Sequence, residues 1–216
     1  MNLTLPQRVY LMSYSPAKKD FITADLQFRG QRVQAAALIE LVEAGLVGAE
    51  GGKAVRLGTE PPADAFLAEA WGEVSADTPH TWLTLIHSKA HTAEAPVRAQ
   101  LLAAGVVKEP VHRRLGPLGH HHVVLSAPEE VRAVREATRD TVLNDADPAT
   151  VPPADLATAV LCTEGEVSVL FDARERRAHR ETLKAFAQRL DDRIPGLRMA
   201  LLSSIVSHRS VGGGWS

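Results

Sequence analysis

The sequence predicts a mainly α-helical protein with small β-hairpins, and three observations lead to that fold class. Aromatic residues make up only 5% of the 216 residues although 45% are hydrophobic, so Leu, Val and Ala must fill the core. This composition favours closely packed helices over strands, which prefer aromatic and β-branched residues. Apolar residues also recur at helical spacing in many segments. Finally, a unit made of a helix, a glycine and a short hairpin occurs twice.

The N-terminal part of the chain is predicted to contain two helices and a hairpin. Thr4 precedes Leu5-Pro6-Gln7, which is typical of a capped helix start with Pro in the first turn. After a break at 15–20 and an extended piece at 21–23, a second helix runs from about Gly30 to Ala44 and ends at Gly45. Residues 46–57 then form a hairpin around a Gly-Gly turn.

Most of the remaining elements are predicted to be helices. They lie at about 63–74, 81–88, 96–104, 126–143, 155–162, 174–190 and 197–206, with short apolar pieces at 106–107 and 123–125. Ser126 and Glu129 have the spacing of a capping box, which would open the helix at 126–143. Residues 167–171 are compatible with either a strand or a helix. The length indicates one domain at 1–210, followed by a glycine-rich, flexible tail at 211–216.

The two helix–glycine–hairpin units resemble each other in sequence. Residues 41–47 (LVEAGLV) align with residues 101–107 (LLAAGVV) at an offset of 60 residues. Each helix ends in Ala-Gly and continues into two apolar residues. We interpret the units as a structural pseudo-repeat, although Ala-Gly after a Leu-rich helix is also common by coincidence.

Composition and motifs argue against several functional classes. The net charge of −2 argues against strong binding of nucleic acid by the whole surface, so no nucleic-acid partner is expected. The single cysteine, Cys162, lies in an apolar run and is expected to be buried. Because we find no signal-peptide pattern and no apolar stretch long enough to span a membrane, we expect a cytoplasmic protein. Nucleophile elbows, phosphate-binding glycine loops and dinucleotide fingerprints are absent, so we expect a non-enzyme without a cofactor.

Three consecutive histidines are the sharpest local feature. On a strand, His120 and His122 would share one face and could bind zinc or nickel, with His112 as the nearest third ligand. The alternative is an exposed polar edge of a hairpin. We therefore assign no metal site and keep a histidine-based metal protein as an alternative function.

Two basic groups indicate contact with anions. Arg29 and Arg32 stand at the start of the clearest helix, where the N-terminal amides and the helix dipole favour a phosphate-bearing headgroup. The second group combines cations with leucines in the loop after the second unit, and could touch an anionic membrane or a partner chain. It consists of Lys108, His112, Arg113, Arg114, Leu115 and Leu118. Both groups are also compatible with an ordinary solvated surface.

Several motifs in a characteristic order resemble a known family. They are Leu3-Thr4-Leu5, residues 37–41 (ALIEL) followed by Gly45-Leu46-Val47, Glu69-Ala70 before Trp71, residues 82–85 (WLTL), and residues 101–107 (LLAAGVV). Together they are similar to the Golgi phosphoprotein 3 family in its bacterial branch, over nearly the whole chain. From about Asp155 onward only the helical pattern is similar.

The resemblance implies a central helix bundle ringed by amphipathic helices, with a hairpin protruding between Lys108 and Leu125. Eukaryotic members bind phosphatidylinositol 4-phosphate at membranes and act as adaptors in glycosyltransferase sorting. In that family the hairpin serves oligomerisation and membrane contact, so a homo-oligomer through residues 108–125 is possible. The hairpin contact residues would be Arg113, Arg114, Leu115 and Leu118.

The resemblance also locates the family's headgroup pocket. Aligned on Leu38-Ile39-Glu40-Leu41, its aromatic position falls on Asp25 and its first basic position on Gln34. Aligned on Gly105, its second basic pair falls on His91 and Glu94. The neighbouring residues that could supply the chemistry of a headgroup site are Phe28, Arg29, Arg32, Lys89, His91 and Arg98.

The sequence therefore predicts a non-catalytic protein that binds a phosphoinositide-type or other anionic lipid headgroup at a membrane surface, on the inner face of the membrane, and acts as an adaptor. The first alternative is a winged-helix DNA-binding regulator. In that protein the helix at 30–44 would present Gln31, Arg32 and Gln34 to base edges.

Overall fold

The computed structural model describes residues 2–109 and 123–212, and it contains helices with small antiparallel sheets. The helices are α1 Leu5–Met12, α2 Thr23–Leu26, α3 Arg29–Glu43, α4 Ala65–Gly72, α5 Trp82–Lys89, α6 Glu94–Ala103, α7 Pro128–Leu143, α8 Pro153–Glu164, α9 Ala173–Ala178, α10 Arg180–Arg193 and α11 Leu197–Gly212. The strands are β1 Tyr14–Ser15, β2 Asp20–Phe21, β3 Val47–Glu50, β4 Lys53–Arg56, β5 His80–Thr81, β6 Val107–Lys108 and β7 Val124–Leu125. The predicted fold class is confirmed.

Helix α3 lies at the centre of the fold. Twelve of its fifteen residues are buried, and it packs against α1, α4, α5, α8 and α11. Ala35, Ala36 and Ala37 are completely buried, and such small residues let the neighbouring helices approach closely. Helix α8 is the second central helix, because residues 155–162 are all buried. A helix that is buried on every side belongs in the middle of a core.

The strands form three small antiparallel sheets at the edge of the helices. The first pairs β1 with β2, the second has the order β3–β4–β5, and the third pairs β6 with β7. In the third sheet Val107 lies opposite Leu125, and Lys108 lies opposite Val124. None of the helices in the described ranges is long and apolar enough to cross a membrane.

The pseudo-repeat is confirmed by the backbone. Gly45 and Gly105 adopt φ values of +71° and +69°, which L-residues rarely adopt, and they end α3 and α6. In both units the residue after the glycine donates to the carbonyl five residues earlier, at 2.9 Å. This pattern is the Schellman cap of a helix C-terminus. Each cap then leads into a hairpin, β3–β4 or β6–β7.

Three local predictions need correction or completion. The capping box at Ser126 is wrong, because α7 begins at Pro128 after Ala127 and has no side-chain cap. The long helix predicted at 174–190 is two helices that meet at His179, whose Nδ1 lies 3.1 Å from Asp145 Oδ1. Residues 167–171 are neither strand nor helix, since they form a turn after α8.

Candidate functional site

The predicted headgroup residues Arg29 and Arg32 lie in the interior. Arg29 is 1% exposed, and its guanidinium stacks 4.3 Å from the Tyr10 ring centroid and 4.4 Å from that of Phe21. Its Nε donates to Glu94 Oε2 at 2.8 Å, and Nη2 donates to the same oxygen. The charge of Arg29 is therefore neutralised inside the protein.

Arg32 is completely buried and is held by backbone and hydroxyl acceptors. Its Nη1 donates to the Gly165 carbonyl at 2.8 Å, and Nη2 donates to Ser13 Oγ at 3.0 Å and to the Asp25 carbonyl at 2.6 Å. Burial lowers the pKa of Arg32 to about 10. Because Gln31 and Gln34 are also buried, the three residues of the winged-helix alternative do not reach the surface.

Asp25 links the same region to the turn after α8. Its Oδ1 accepts from the Ser168 amide at 3.0 Å and from the Ser168 hydroxyl at 2.8 Å, and its Oδ2 accepts from the Val169 amide at 3.1 Å. Asp25, which stands at the position of the family's aromatic residue, thus accepts hydrogen bonds inside the protein and fixes the turn after α8. Asp25 and Glu94 would both repel an approaching phosphate.

Close packing leaves little room around α3. A Cβ added to Gly30 would lie 1.9 Å from the Ala90 carbonyl oxygen, and one added to Gly165 would lie 2.2 Å from Arg32 Cδ. Phe28 is 2% exposed and lies under Arg209, whose guanidinium is 4.9 Å from the ring centroid. The start of α3 is sealed on these sides.

The remaining predicted headgroup residues do not form one basic pocket. Arg98 is half-buried beside the Tyr10 hydroxyl, and His91 is exposed. Lys89 Nζ lies 2.9 Å from Glu73 Oε1, and the hydrogen bond that Lys89 donates to this carboxylate raises the pKa of Lys89. Lys89 borders a depression of about 10 Å³ that also contacts Gln34, Glu69 and Glu73. That volume is about enough for one water molecule.

The predicted hairpin contacts and the histidine cluster lie outside the described residues. This concerns Arg113, Arg114, Leu115 and Leu118, as well as His112 and His120–His122. Within ranges 2–109 and 123–212, no group of three or more His, Cys, Asp or Glu residues is arranged to hold a metal ion. Cys162 is completely buried, and burial raises the pKa of its thiol to about 12.

A larger cleft lies at the base of the β6–β7 hairpin, between the β1–β2 turn and the start of α7. We call this cavity of about 280 Å³ the hairpin cleft. Its apolar lining consists of Tyr14, Pro16, Val124, Leu125, Pro128 and Val131, and its charged lining consists of Lys19, Glu129, Arg132 and Arg135. Val124 is 45% exposed.

The charged residues of the hairpin cleft differ in their partners. Arg132 pairs with Glu129 and lies 3.7 Å from Glu136. Arg135 is only 6% exposed, and its Nη2 donates to the Tyr14 carbonyl. Its Nε is buried without a hydrogen-bond partner, and burial lowers its pKa. Lys19 has φ +51° in the β1–β2 turn and forms no ion pair with a described residue.

Sequence reasoning missed the hairpin cleft, although α7 contains a signal for it. Val131, Thr138 and Val142 form the buried face of α7, and Arg135 stands on that face. An arginine at a core position needs a polar partner, and it is therefore a candidate binding residue. Lys19 could not have been found in this way, because its left-handed backbone is visible only in the structure.

The comparison with protein families identifies the family of the chain. A model of the family described as Golgi phosphoprotein 3 (GPP34) matches residues 5–201. A search of curated proteins finds no match.

Proposed function

The chain belongs to the Golgi phosphoprotein 3 family, and from that premise we propose that it is a non-catalytic adaptor which binds anionic lipid headgroups at the inner face of a membrane. We propose that the contact lies at the hairpin cleft. The family's headgroup pocket is a less suitable place for it. The single observation that carries the proposal is the combination in one cleft of apolar walls, an exposed Val124 and cations that no ion pair with a described residue neutralises.

The cations around the cleft form what we call the basic edge. It comprises Lys18, Lys19, Lys108 and Arg132, all of which are exposed. Arg132 is engaged by two carboxylates, whereas Lys18 and Lys19 form no ion pair with a described residue. These two lysines therefore supply most of the charge that an anionic surface could use. Each lysine near such a surface contributes about 1 kcal/mol to binding.

The alignment of the family's pocket argues for charge-driven binding without preference for one inositol lipid. Its corresponding positions carry Asp25, Gln34, His91 and Glu94. Asp25 and Glu94 are negative and engaged in internal contacts, and Gln34 is buried. A phosphorylated inositol ring would lack its cationic partners there. We therefore expect any anionic lipid to be bound about equally well when the surface charge is matched.

Vesicle flotation tests the proposal. The protein should float with vesicles that contain phosphatidylglycerol but not with pure phosphatidylcholine, and raising the salt concentration should release it. Vesicles with phosphatidylinositol 4-phosphate at matched charge should bind no more tightly. The double variant Lys18→Glu/Lys19→Glu should weaken binding at least about 30-fold, because two favourable lysine contacts are lost and repulsion is added.

A matched control uses two exposed cations that do not line the hairpin cleft. Arg177 and Lys184 are exposed residues of α9 and α10, and changing both to Glu alters the net charge by the same amount. This control should bind nearly as well as the unchanged protein. The proposal fails if the unchanged protein does not float at low salt, or if the control loses as much binding as the Lys18/Lys19 variant.

A further inference from the structure

Arg135 is a buried cation without a counter-ion in the described structure. Its side chain lines the hairpin cleft, yet it is only 6% exposed, and no carboxylate of residues 2–109 or 123–212 forms an ion pair with it. One carbonyl, that of Tyr14, accepts from Nη2, while Nε has no partner. A guanidinium remains charged under all ordinary conditions, and a buried charge is stable only when paired and hydrogen-bonded. Among the described residues Arg135 has one acceptor, whereas the equally buried Arg32 has three, so an anion in the cleft would add to the partners of Arg135.

The nearest carboxylate of the cleft does not fill this role. Glu129 also lines the cavity, but its Oε2 accepts from Arg132 Nη2. The two remaining cations, Lys19 and Arg135, come from different elements and line the same cavity. Lys19 occupies a left-handed conformation that L-residues rarely adopt, with φ +51°. An anion in the cleft would therefore meet two cations with no competing side chain among the described residues.

The walls of the cleft indicate what the anion is attached to. Six of the ten lining residues are apolar, among them Val124, Leu125 and Val131. The volume of about 280 Å³ is at the lower limit of ligand pockets, which are roughly 300–1,000 Å³. The cleft therefore suits the headgroup and glycerol region of a lipid better than complete acyl chains. Its position on the basic edge, beside exposed Val124, places such a lipid at the membrane surface.

We infer that the hairpin cleft binds one anionic phospholipid, whose phosphate contacts Arg135 and Lys19 and whose glycerol end lies on the apolar wall. This inference rests on the proposed function, which it makes more specific. General attraction to a charged surface needs only the exposed lysines. A bound lipid also requires the buried guanidinium.

The test uses the full chain and soluble probes, so that binding in the cleft is measured apart from attraction to a surface. Isothermal titration calorimetry should detect dihexanoyl phosphatidylglycerol but neither dihexanoyl phosphatidylcholine nor inorganic phosphate at the same concentrations. Arg135→Gln should weaken binding about tenfold or more, because a charge-assisted contact is lost. Arg132→Gln should have a smaller effect, since Arg132 is already paired with Glu129.

A second variant covers the case in which Arg135→Gln does not fold. Lys19→Gly removes the amine and relieves the left-handed backbone, so the protein should be at least as stable while the dissociation constant rises several-fold. Lys184→Gln removes one charge from exposed α10 and should leave the dissociation constant unchanged.

The outcomes separate this inference from the proposed function. Vesicle binding without binding of the soluble phospholipid overturns the inference and leaves the proposed function standing. Equal binding of inorganic phosphate overturns the lipid assignment, and equal binding of phosphatidylcholine overturns the role of the cations. If both Arg135→Gln and Lys19→Gly bind normally, the cleft is not the site. Absence of both vesicle and phospholipid binding overturns both proposals.

Discussion

The start of α3 and the hairpin cleft both place arginines on buried helix faces, but the arginines have different partners in the two regions. Arg32 has three oxygen acceptors, and Arg29 has a carboxylate and two aromatic rings. Arg135 has one carbonyl acceptor and a cavity beside it. Each of the three arginines also has one buried nitrogen without a hydrogen-bond partner, so the number of acceptors and the cavity make the difference. The first region uses its cations to hold helices together. The second places a cation with one internal acceptor beside a cavity.

This difference shows that burial of an arginine says little about its role until its partners are known. A buried arginine in an ion pair, or one held by several internal acceptors, is a structural element whose removal leaves those acceptors unsatisfied. A buried guanidinium that has a single internal acceptor and lines a cavity is a candidate ligand site. If the arginines at the start of α3 are structural, changing them or their partners should destabilise the fold.

The largest effect is expected for Arg32→Met. The change keeps an apolar stem but leaves the Gly165 and Asp25 carbonyls and Ser13 Oγ without their donor. We expect a loss of about 3–5 kcal/mol in the free energy of unfolding, measured by urea denaturation, because each buried acceptor left unsatisfied costs about 1–3 kcal/mol. The exposed Arg177→Met is the control and should change it by less than about 0.5 kcal/mol. A loss below about 1 kcal/mol for Arg32→Met would contradict a structural role.

A somewhat smaller effect is expected for Gly165→Ala. The added Cβ would lie 2.2 Å from Arg32 Cδ and 2.8 Å from Cγ, so the buried side chain must shift and its hydrogen bonds weaken. Overpacking of this kind costs about 1–3 kcal/mol. Gly72→Ala is the matched control, because beyond its chain neighbours and its own helix backbone no atom of the described residues lies within 4 Å of its added Cβ. If Gly165→Ala denatures at the same urea concentration as Gly72→Ala, the packing around Arg32 is looser than described.

Cys162 provides a pH-dependent test of the same interior. Burial raises the pKa of its thiol from 9.0 to about 12, so the folded state favours the protonated form. This contribution to stability is complete below pH 9 and is lost as the pH rises from 9 towards 12. The loss should approach 1.4 kcal/mol for each pH unit in that window.

The contribution of Cys162 can be isolated by comparison with Cys162→Ala. Tyr10 also has a raised pKa because of burial, so the unchanged protein and the variant should both lose stability in alkali. The unchanged protein should lose it more steeply. Parallel unfolding curves between pH 9 and pH 11 would show that the thiol is not sealed in the folded state.

The sequence predicted the helices and both glycine caps because these depend on local patterns. The Schellman caps at Gly45 and Gly105 follow from a glycine after a Leu-rich helix, and the burial of Cys162 follows from its apolar neighbours. The split at His179 was missed because it depends on Asp145, which is 34 residues away in sequence. Local periodicity cannot reveal such a contact.

The candidate site was less predictable for a physical reason. Arg29 and Arg32 were expected to face an anion because they stand at a helix N-terminus. The partners that occupy them are Glu94 and Gly165, which are distant in sequence. Arg135 and Lys19 were not selected, since neither their shared cavity nor the backbone of Lys19 is visible in the sequence. Tertiary contacts decide which arginine or lysine finds its hydrogen-bond and ion-pair partners inside the protein.

The smallest effect is expected for Glu94→Gln, which tests the pairing of Arg29 directly. Glu94 is 28% exposed at its side chain, so solvent screens the ion pair partly, and the amide can still accept from Arg29. We expect a loss of about 1 kcal/mol in urea denaturation, which shrinks as salt is raised. Glu181→Gln breaks the exposed Arg180 pair in the same way and should have almost no effect. If the two variants were equally stable, Arg29 would depend on its aromatic neighbours alone, and the start of α3 would regain a cation that a headgroup could use.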